Sequence, residues 1–423
     1  MPELLPEKLK LLLVSLCGRH VGALAHASQI SFSYASEHER QSVGLLMPPE
    51  KLVYTSNALF PVMDQNIPEG YLFQRIREAY PKQQLTLMHL LALMGDNGIG
   101  RLGFALPGAN APQRARSISR ETLLNTRLSG DVFDQMVDAY LSTGIGIAGM
   151  QPKIMVPDRA TIPVPNVIIK IGSESYPGLA ANEFVCLSAA KAAGISVPTF
   201  DLSVDGQMLL IDRFDLTENG AGTQSRLGFE DIASLMGLRV RDTLSDRKYQ
   251  GSYQAIADVL KLLGLSTPDL QKFYEQVAFS VMVRNGDGHL KNYGVLYNDV
   301  SDIHLAPMYD VVTTAIYKYA RLNGGEDLED KTLALRLFAK DKTKAYPVTS
   351  ELLAFGRDVC GVGTPARVLE RIAAGMTKAL AEARLDDRIP KDTLQAMGTL
   401  WQEGLLYASE AASMERRPPS RHA

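Results

Sequence analysis

Arg284 to Leu296 reads RNGDGHLKNYGVL, crowding Asn285, Asp287, His289, Lys291 and Asn292 beside the apolar run VAFSVMV. Three chemistries could use such a loop. A calcium loop starting at Asn285 needs glycine at its sixth position and glutamate at its twelfth, where this chain has Leu290 and Leu296. The calcium pattern therefore fails. A structural turn accounts for the Asn-Gly-Asp-Gly run, because Asn and Asp close turns, but it leaves His289, Lys291 and Asn292 without a task. Phosphoryl transfer gives them one. In the pattern H-R-D-x-x-x-x-N a base aspartate stands five residues before a magnesium-binding asparagine, and Asp287 stands five before Asn292. LAPMYDVVTTAIY supplies a second metal-binding aspartate, Asp310, eighteen residues after Asn292 and behind an apolar stretch that fixes its position. Magnesium takes hard oxygen ligands from one or two protein groups and from the phosphates, which leaves Asp287 free to deprotonate a hydroxyl. His289 would brace the loop or touch phosphate, and Lys291 would add positive charge near the transferred group.

Two upstream features suit the same chemistry. GIGIAG, Gly144 to Gly149, satisfies GxGxxG, yet a dinucleotide fold needs a strand before that motif and a helix after it. Here an amphipathic pattern precedes the loop and KIMV follows it as a strand. Met150 also stands where a Walker A loop has lysine. What remains is a loop leading into a strand, the setting in which kinase Gly-rich loops cover phosphates; a plain glycine turn is the competing account. In PNVIIKIG, Lys170 ends an apolar strand, where an amine is costly to desolvate unless an anion meets it. Glu183 lies on the next helix. A strand lysine paired with a helix glutamate orients the phosphates of ATP. Taken singly, Lys170 could snorkel and Glu183 could be a solvated acid at a helix start.

The elements that must carry these residues follow from periodicity. Residues 9 to about 60 predict short strands: a hairpin in LLLVSLCGRHVGALAH turning at Gly18 and Arg19, then QISFSYAS and SVGLLMPP. Helical spacing begins near Gly70, and LTLMHLLALMGDNGIGRLGFAL gives a helix, a Gly-rich turn and a strand. GANAPQRARSIS reads as a linker, which sets an N-terminal β-rich subdomain at 1–115. A small mixed sheet carrying one helix fills 116–215, with strands in QPKIMV, PNVIIKIG, TFDLSV and QMLLIDRFDL and a helix in GLAANEFVCLSAAKAAG. From Arg226 onward the pattern is nearly all helical, in LGFEDIASLMG, GSYQAIADVLKLLG, TPDLQKFYEQVAFSVMVRN, TPARVLERIAAGMTKALAEAR and KDTLQAMGTLWQEGLLYASEAASMERR, which sets a helical third segment at 216–423. A β-rich half followed by a helical half predicts an α+β fold.

Composition bounds the partners. The 423 residues carry 44 basic and 47 acidic side chains, a formal charge of −3, so no global field draws the chain to DNA or anionic lipid. Cys17, Cys186 and Cys360 show neither CxxC nor Cys/His metal spacing. A reducing cytoplasm is the expected compartment. LKLLLVSLCG is a first strand rather than a signal peptide, given its short apolar run and the acids Glu3 and Glu7, and no run approaches a membrane span.

In order, GIAGMQPK, NVIIKIG, ANEF, LLIDRFD, NGDGHLKN and MYDVVTT resemble the HipA-type serine/threonine protein kinases, toxin halves of HipBA-type toxin–antitoxin pairs. The resemblance implies a protein-kinase-like two-lobe fold with an extra N-terminal β-rich subdomain and an all-helical C-lobe. It further implies Asp287 as catalytic base and Asn292 and Asp310 as ligands of Mg²⁺. Lys170 would hold the α- and β-phosphates of ATP, and the loop Ala148, Gly149, Met150, Gln151, Pro152 and Lys153 would lie over them. The backbone of Asp212, Arg213 and Phe214 would receive adenine, with His289, Lys291 and Tyr309 as further nucleotide contacts. Family members often carry a serine two residues before the Ala-Gly of this loop, whose autophosphorylation inactivates the kinase. Here that position is Gly146, so control would pass to a partner or to Ser142 or Thr143.

The same resemblance implies a helix-turn-helix antitoxin of HipB type, contact with DNA only through it, and a protein substrate such as an aminoacyl-tRNA synthetase. Two other readings keep the same residues: a small-molecule kinase, and a nucleotide-binding transcriptional co-regulator that docks an antitoxin on DNA.

Overall fold

The computed structural model describes residues 5–109, 117–141, 151–159, 165–173, 176–218, 224–319 and 328–415. It divides into two compact units, the first formed by 1–173, 201–239 and 294–303, the second by 174–200, 240–293 and 304–423.

In the first unit, strands β1 (Leu11–Leu16), β2 (Arg19–His26), β3 (Ile30–Tyr34), β4 (Val53–Ser56) and β5 (Leu102–Ala105) form a sheet in the order β4-β3-β2-β1-β5. Alternation sets its buried face: Leu12, Val14 and Leu16 of β1 point inward with Leu24 and Phe32. Leu16 pairs with Arg19, so the hairpin turns on Cys17 and Gly18, one residue earlier than the sequence suggests. Their φ angles of 50° and 81° are those of the type I′ turn, whose twist matches a two-residue hairpin.

SVGLLMPP, expected as a strand, forms turns instead. Its backbone groups are satisfied by side chains: the Tyr34 hydroxyl accepts from the Val43 N–H and donates to the Met47 carbonyl, and the Leu45 N–H donates to Glu230. Helices α1 (Pro61–Asp64), α2 (Gly70–Ala79), α3 (Leu87–Met94), α4 (Arg120–Asn125) and α5 (Gly130–Leu141) follow.

A second sheet holds β6 (Lys153–Val156), β7 (Val167–Ile171), β8 (Phe200–Leu202) and β9 (Met208–Asp212) in the order β6-β7-β9-β8. Every residue of β6 and β7 is buried. The LGFEDIASLMG segment, expected as one helix, is split. Gly228–Asp231 is strand β12, paired antiparallel with β13 (Gly294–Tyr297), and only Ile232–Leu235 is helical (α7). Asp231 makes the switch, its carboxylate accepting from the Ser234 N–H as a helix N-cap. Short strands also lie at Leu216–Glu218 (β10), Gln224–Arg226 (β11), Ile303–Leu305 (β14), Lys318–Tyr319 (β15) and Leu328–Glu329 (β16). The C-terminal stretch is thus helix-dominated rather than purely helical, because non-local pairing captures segments too short for a helix to compete.

The second unit is built on α6 (Leu179–Ala192), α8 (Tyr253–Leu262), α9 (Thr267–Met282), α10 (Thr349–Ala354), α11 (Pro365–Ala383) and α12 (Lys391–Glu415). The helix expected to ride on the small sheet, α6, groups with this unit and packs along α11. Serines cap the next two helices: Ser252 accepts from the Ala255 N–H and Ser266 from the Asp269 N–H. The C-terminal half of α9 is enclosed, with Val277, Ala278, Phe279, Val281 and Met282 all fully buried. The loop that follows is therefore delivered from a fixed point. Among the described residues, no helix is long and apolar enough to cross a membrane.

Candidate functional site

Just past the end of α9, Arg284 takes the left-handed φ of 58°, a helix-terminating conformation usually left to glycine. Its guanidinium compensates by lying 4.5 Å over the Tyr346 ring and 2.9 Å from Glu403. The next residue, Asn285, is buried, and its side-chain oxygen accepts from the Asp287 N–H at 3.1 Å. Gly286 donates its N–H to Thr314 Oγ1 at 2.6 Å, and a Cβ there would stand 2.7 Å from the Thr332 carbonyl oxygen. The turn thus runs where only glycine fits.

Asp287 presents a half-exposed carboxylate. Its Oδ1 accepts from the Tyr249 hydroxyl at 2.7 Å and lies 3.9 Å from His289 Nε2. A single 3₁₀ turn, Leu290–Asn292, brings Asn292 back so that its Nδ2 donates to the Asp287 carbonyl at 2.7 Å. The five-residue spacing is therefore one closed turn. His289 is buried, edge-on to Tyr249 with ring centres 5.1 Å apart. Burial holds its pKa well below the ordinary histidine value; Lys248 and Lys291 push the same way, and Asp310 opposes them. The imidazole is neutral near pH 7, a hydrogen-bonding group rather than a cation.

Asp310 also has a left-handed φ, 52°, a conformation that non-glycine residues adopt mainly where surroundings over-determine it. The surroundings are visible on both sides. Tyr309 donates its hydroxyl to the Lys291 carbonyl at 2.9 Å, tying this segment to the 284–293 loop. Downstream, buried Thr313 donates its N–H to Asn182 Oδ1 of α6 and receives the indole N–H of Trp401 from α12 on its Oγ1, each at 2.9 Å.

Asp287, His289, Lys291, Asn292, Tyr309 and Asp310 therefore share one constellation in the second unit. Glu183 is in that unit too, buried on α6.

The first unit holds the remaining candidates. Lys153 of β6 and Lys170 of β7 are direct cross-strand partners, 6% and 3% exposed. Opposed residues share a sheet face, so two buried lysines start from the same face of the ladder. Gln151 Nε2 donates to the Ile171 carbonyl at 3.2 Å, and the Pro152 carbonyl accepts from the Ile171 N–H. Asp212 accepts from Arg120 at 2.5 Å. Arg213 is spent on structure: its guanidinium grips Asp215 and the carbonyls of Asn97, Gly98 and Pro165, and its N–H donates to Asn166. Phe214 packs edge-on to Phe229 at 5.4 Å. Ala148, Gly149 and Met150 lie outside the described residues, as do Ser142, Thr143 and Gly146.

Spacing gave no sign of Tyr249 or Thr314, which reach the loop from sequence separations of 28 residues or more, or of Asn182, which holds Thr313 beyond Asp310. The Lys-Tyr pair in RKYQGS carries no interval that links it to Asp287.

The donor set suits magnesium. Asn292 uses its amide nitrogen on Asp287, which directs the amide oxygen away from that bond, and Asp310 adds a carboxylate. Hard oxygens from one or two protein groups are what Mg²⁺ takes when phosphates and water complete its shell. Among the described residues, no group of three or more His, Cys, Asp or Glu could hold a metal unaided.

The family model of the HipA-like C-terminal domain matches residues 145–384, and that of the HipA N-terminal domain matches 12–105. A putative kinase of Sinorhizobium fredii, Y4dM, is 34% identical over 165 residues, covering 36% of this chain and 38% of the relative. The serine/threonine-protein kinase toxin HipA of Shewanella oneidensis is 25% identical over 366 residues, 78% of each chain. Three relatives named putative kinases are matched over only 38% to 60% of their own length. The fold matches a chain of the Shewanella oneidensis MR-1 complex of HipA, HipB and operator DNA with a TM-score of 0.70 at 19% identity, covering 96% of this chain and all of that one. With one family model spanning more than half its length and a second matching its N-terminal sheet, the chain belongs to the HipA family.

Proposed function

We propose that this protein is an ATP-dependent serine/threonine protein kinase and the toxin of a HipBA-type pair. The observation that carries the reading is the closed turn in which Asn292 bonds back to Asp287, facing a segment whose Asp310 is held in a left-handed conformation. Asp287 takes the proton of the acceptor hydroxyl. The acceptor oxygen bonds to the γ-phosphorus, the bond to the β–γ bridging oxygen breaks, and ADP leaves.

Asn292 and Asp310 would hold Mg²⁺, which neutralises charge on the phosphates when bound. Lys170 and Lys153, cross-strand partners in the β6–β7 ladder, would supply positive charge for phosphates, and neutral His289 would donate or accept a hydrogen bond. The backbone at Asp212 and Phe214 receives adenine; the Arg213 N–H is already committed to Asn166.

The relative named a serine/threonine-protein kinase toxin supports the acceptor class and the toxic role, and the HipA–HipB–DNA complex supports an antitoxin of HipB type that brings the chain to DNA. A protein of translation, an aminoacyl-tRNA synthetase among them, is the proposed substrate, and the cytoplasm the proposed compartment. Incubating the purified protein with Mg-ATP and a cell extract, then mapping new phosphosites by mass spectrometry, tests the reading: phosphoserine or phosphothreonine on an extract protein is expected, and an unchanged phosphosite map would contradict it.

A further inference from the structure

We propose that Tyr249 is a positioning residue for phosphoryl transfer, holding one oxygen of Asp287 so that the other faces the acceptor hydroxyl. The inference rests on the kinase reading and extends it to a residue 38 positions upstream of the base.

Three contacts fix the phenol before any substrate arrives. Its ring lies edge-on to buried His289, with centres 5.1 Å apart. The ammonium of Lys248 lies 5.2 Å from the ring centre and that of Lys344 5.7 Å, and cations at this range are attracted to an aromatic face. With the ring so held, the hydroxyl donates to Asp287 Oδ1 at 2.7 Å, a length typical of a charge-assisted bond.

The Tyr249 bond acts on the side chain of Asp287. Its carboxylate is 47% exposed, and an exposed aspartate turns readily about its last torsion, which is broad and roughly two-fold. The loop hydrogen bonds described above fix the Asp287 backbone through its N–H and carbonyl; the Tyr249 bond fixes its side chain. Misplacement of a reacting group by about 1 Å can cost on the order of 100-fold in rate.

The test is Tyr249→Phe, which keeps the ring and removes only the hydroxyl. The expected result is a fall in kcat of about 10- to 100-fold with the KM for ATP unchanged and the unfolding midpoint lowered no further than loss of one hydrogen bond requires. Crystal structures of both proteins should show an ordered Asp287 carboxylate in the wild type and a rotated or disordered one in the variant. An Asp287 carboxylate that keeps its orientation and order in the variant overturns the proposal, whatever the activities. Absence of transfer by the wild type would overturn the kinase reading instead, leaving the crystal structures to judge Tyr249. Equal kcat values in two active proteins would also overturn it.

Discussion

Asn292 donates its side-chain amide to the backbone carbonyl of Asp287 at 2.7 Å, so the proposed metal ligand and the proposed base are two ends of one turn. Any change at Asn292 therefore acts on both. Asn292→Ala loses a hydrogen bond, a stability cost of about 1 kcal/mol, and should slow phosphoryl transfer by about 100-fold or more. Asn292→Asp keeps an oxygen but loses the donor, and should raise the magnesium concentration needed for half-maximal rate. Rates titrated against Mg²⁺, beside a denaturation curve, separate the two effects.

Gly286→Ala should loosen the loop from below. The new methyl would meet the Thr332 carbonyl at 2.7 Å and Thr314 Oγ1 at 3.0 Å, an overpacking that costs about 1–3 kcal/mol. Urea unfolding should show the midpoint falling, and a midpoint equal to the wild type's would mean the turn is not as tight as described.

Glu230 gives the first unit a pH dependence. It is buried, accepts from the Leu45 N–H at 2.6 Å and the Tyr297 hydroxyl at 2.7 Å, and burial raises its pKa from 4.5 to about 7. A carboxyl that holds its proton more tightly folded than unfolded favours the folded state at low pH, and that contribution is lost as pH rises from 4.5 through 7. The loss is on the order of 3 kcal/mol. Glu230→Gln retains an accepting oxygen and cannot ionise, so the drop in stability between pH 5 and pH 8 should shrink. Denaturation midpoints of both proteins across that range check it.

What the sequence discloses here depends on separation along the chain. The Asp287 to Asn292 interval is legible because one local turn realises it, and the strand carrying Lys170 is legible from its apolar run. That Lys153 stands opposite Lys170 is not, because register across the 157–166 connection leaves no mark in either strand. Phe229 and Asp231 read as part of a helix until β13, more than sixty residues later, pairs with them. Tyr249 and Thr314 are invisible for the same reason. Their role lies in where the fold brings them, and no spacing encodes it.

The most direct test of the account is transfer of the γ-phosphoryl group of ATP by the wild-type protein and by Asp287→Asn, with bound nucleotide measured alongside. Asp287→Asn preserves shape and an oxygen for Tyr249 but removes the base. A general base contributes about 100- to 10,000-fold, so the variant should bind ATP as the wild type does and transfer phosphate slower by that factor. A wild type no better than a protein-free blank, or a variant as fast as the wild type, would contradict the account.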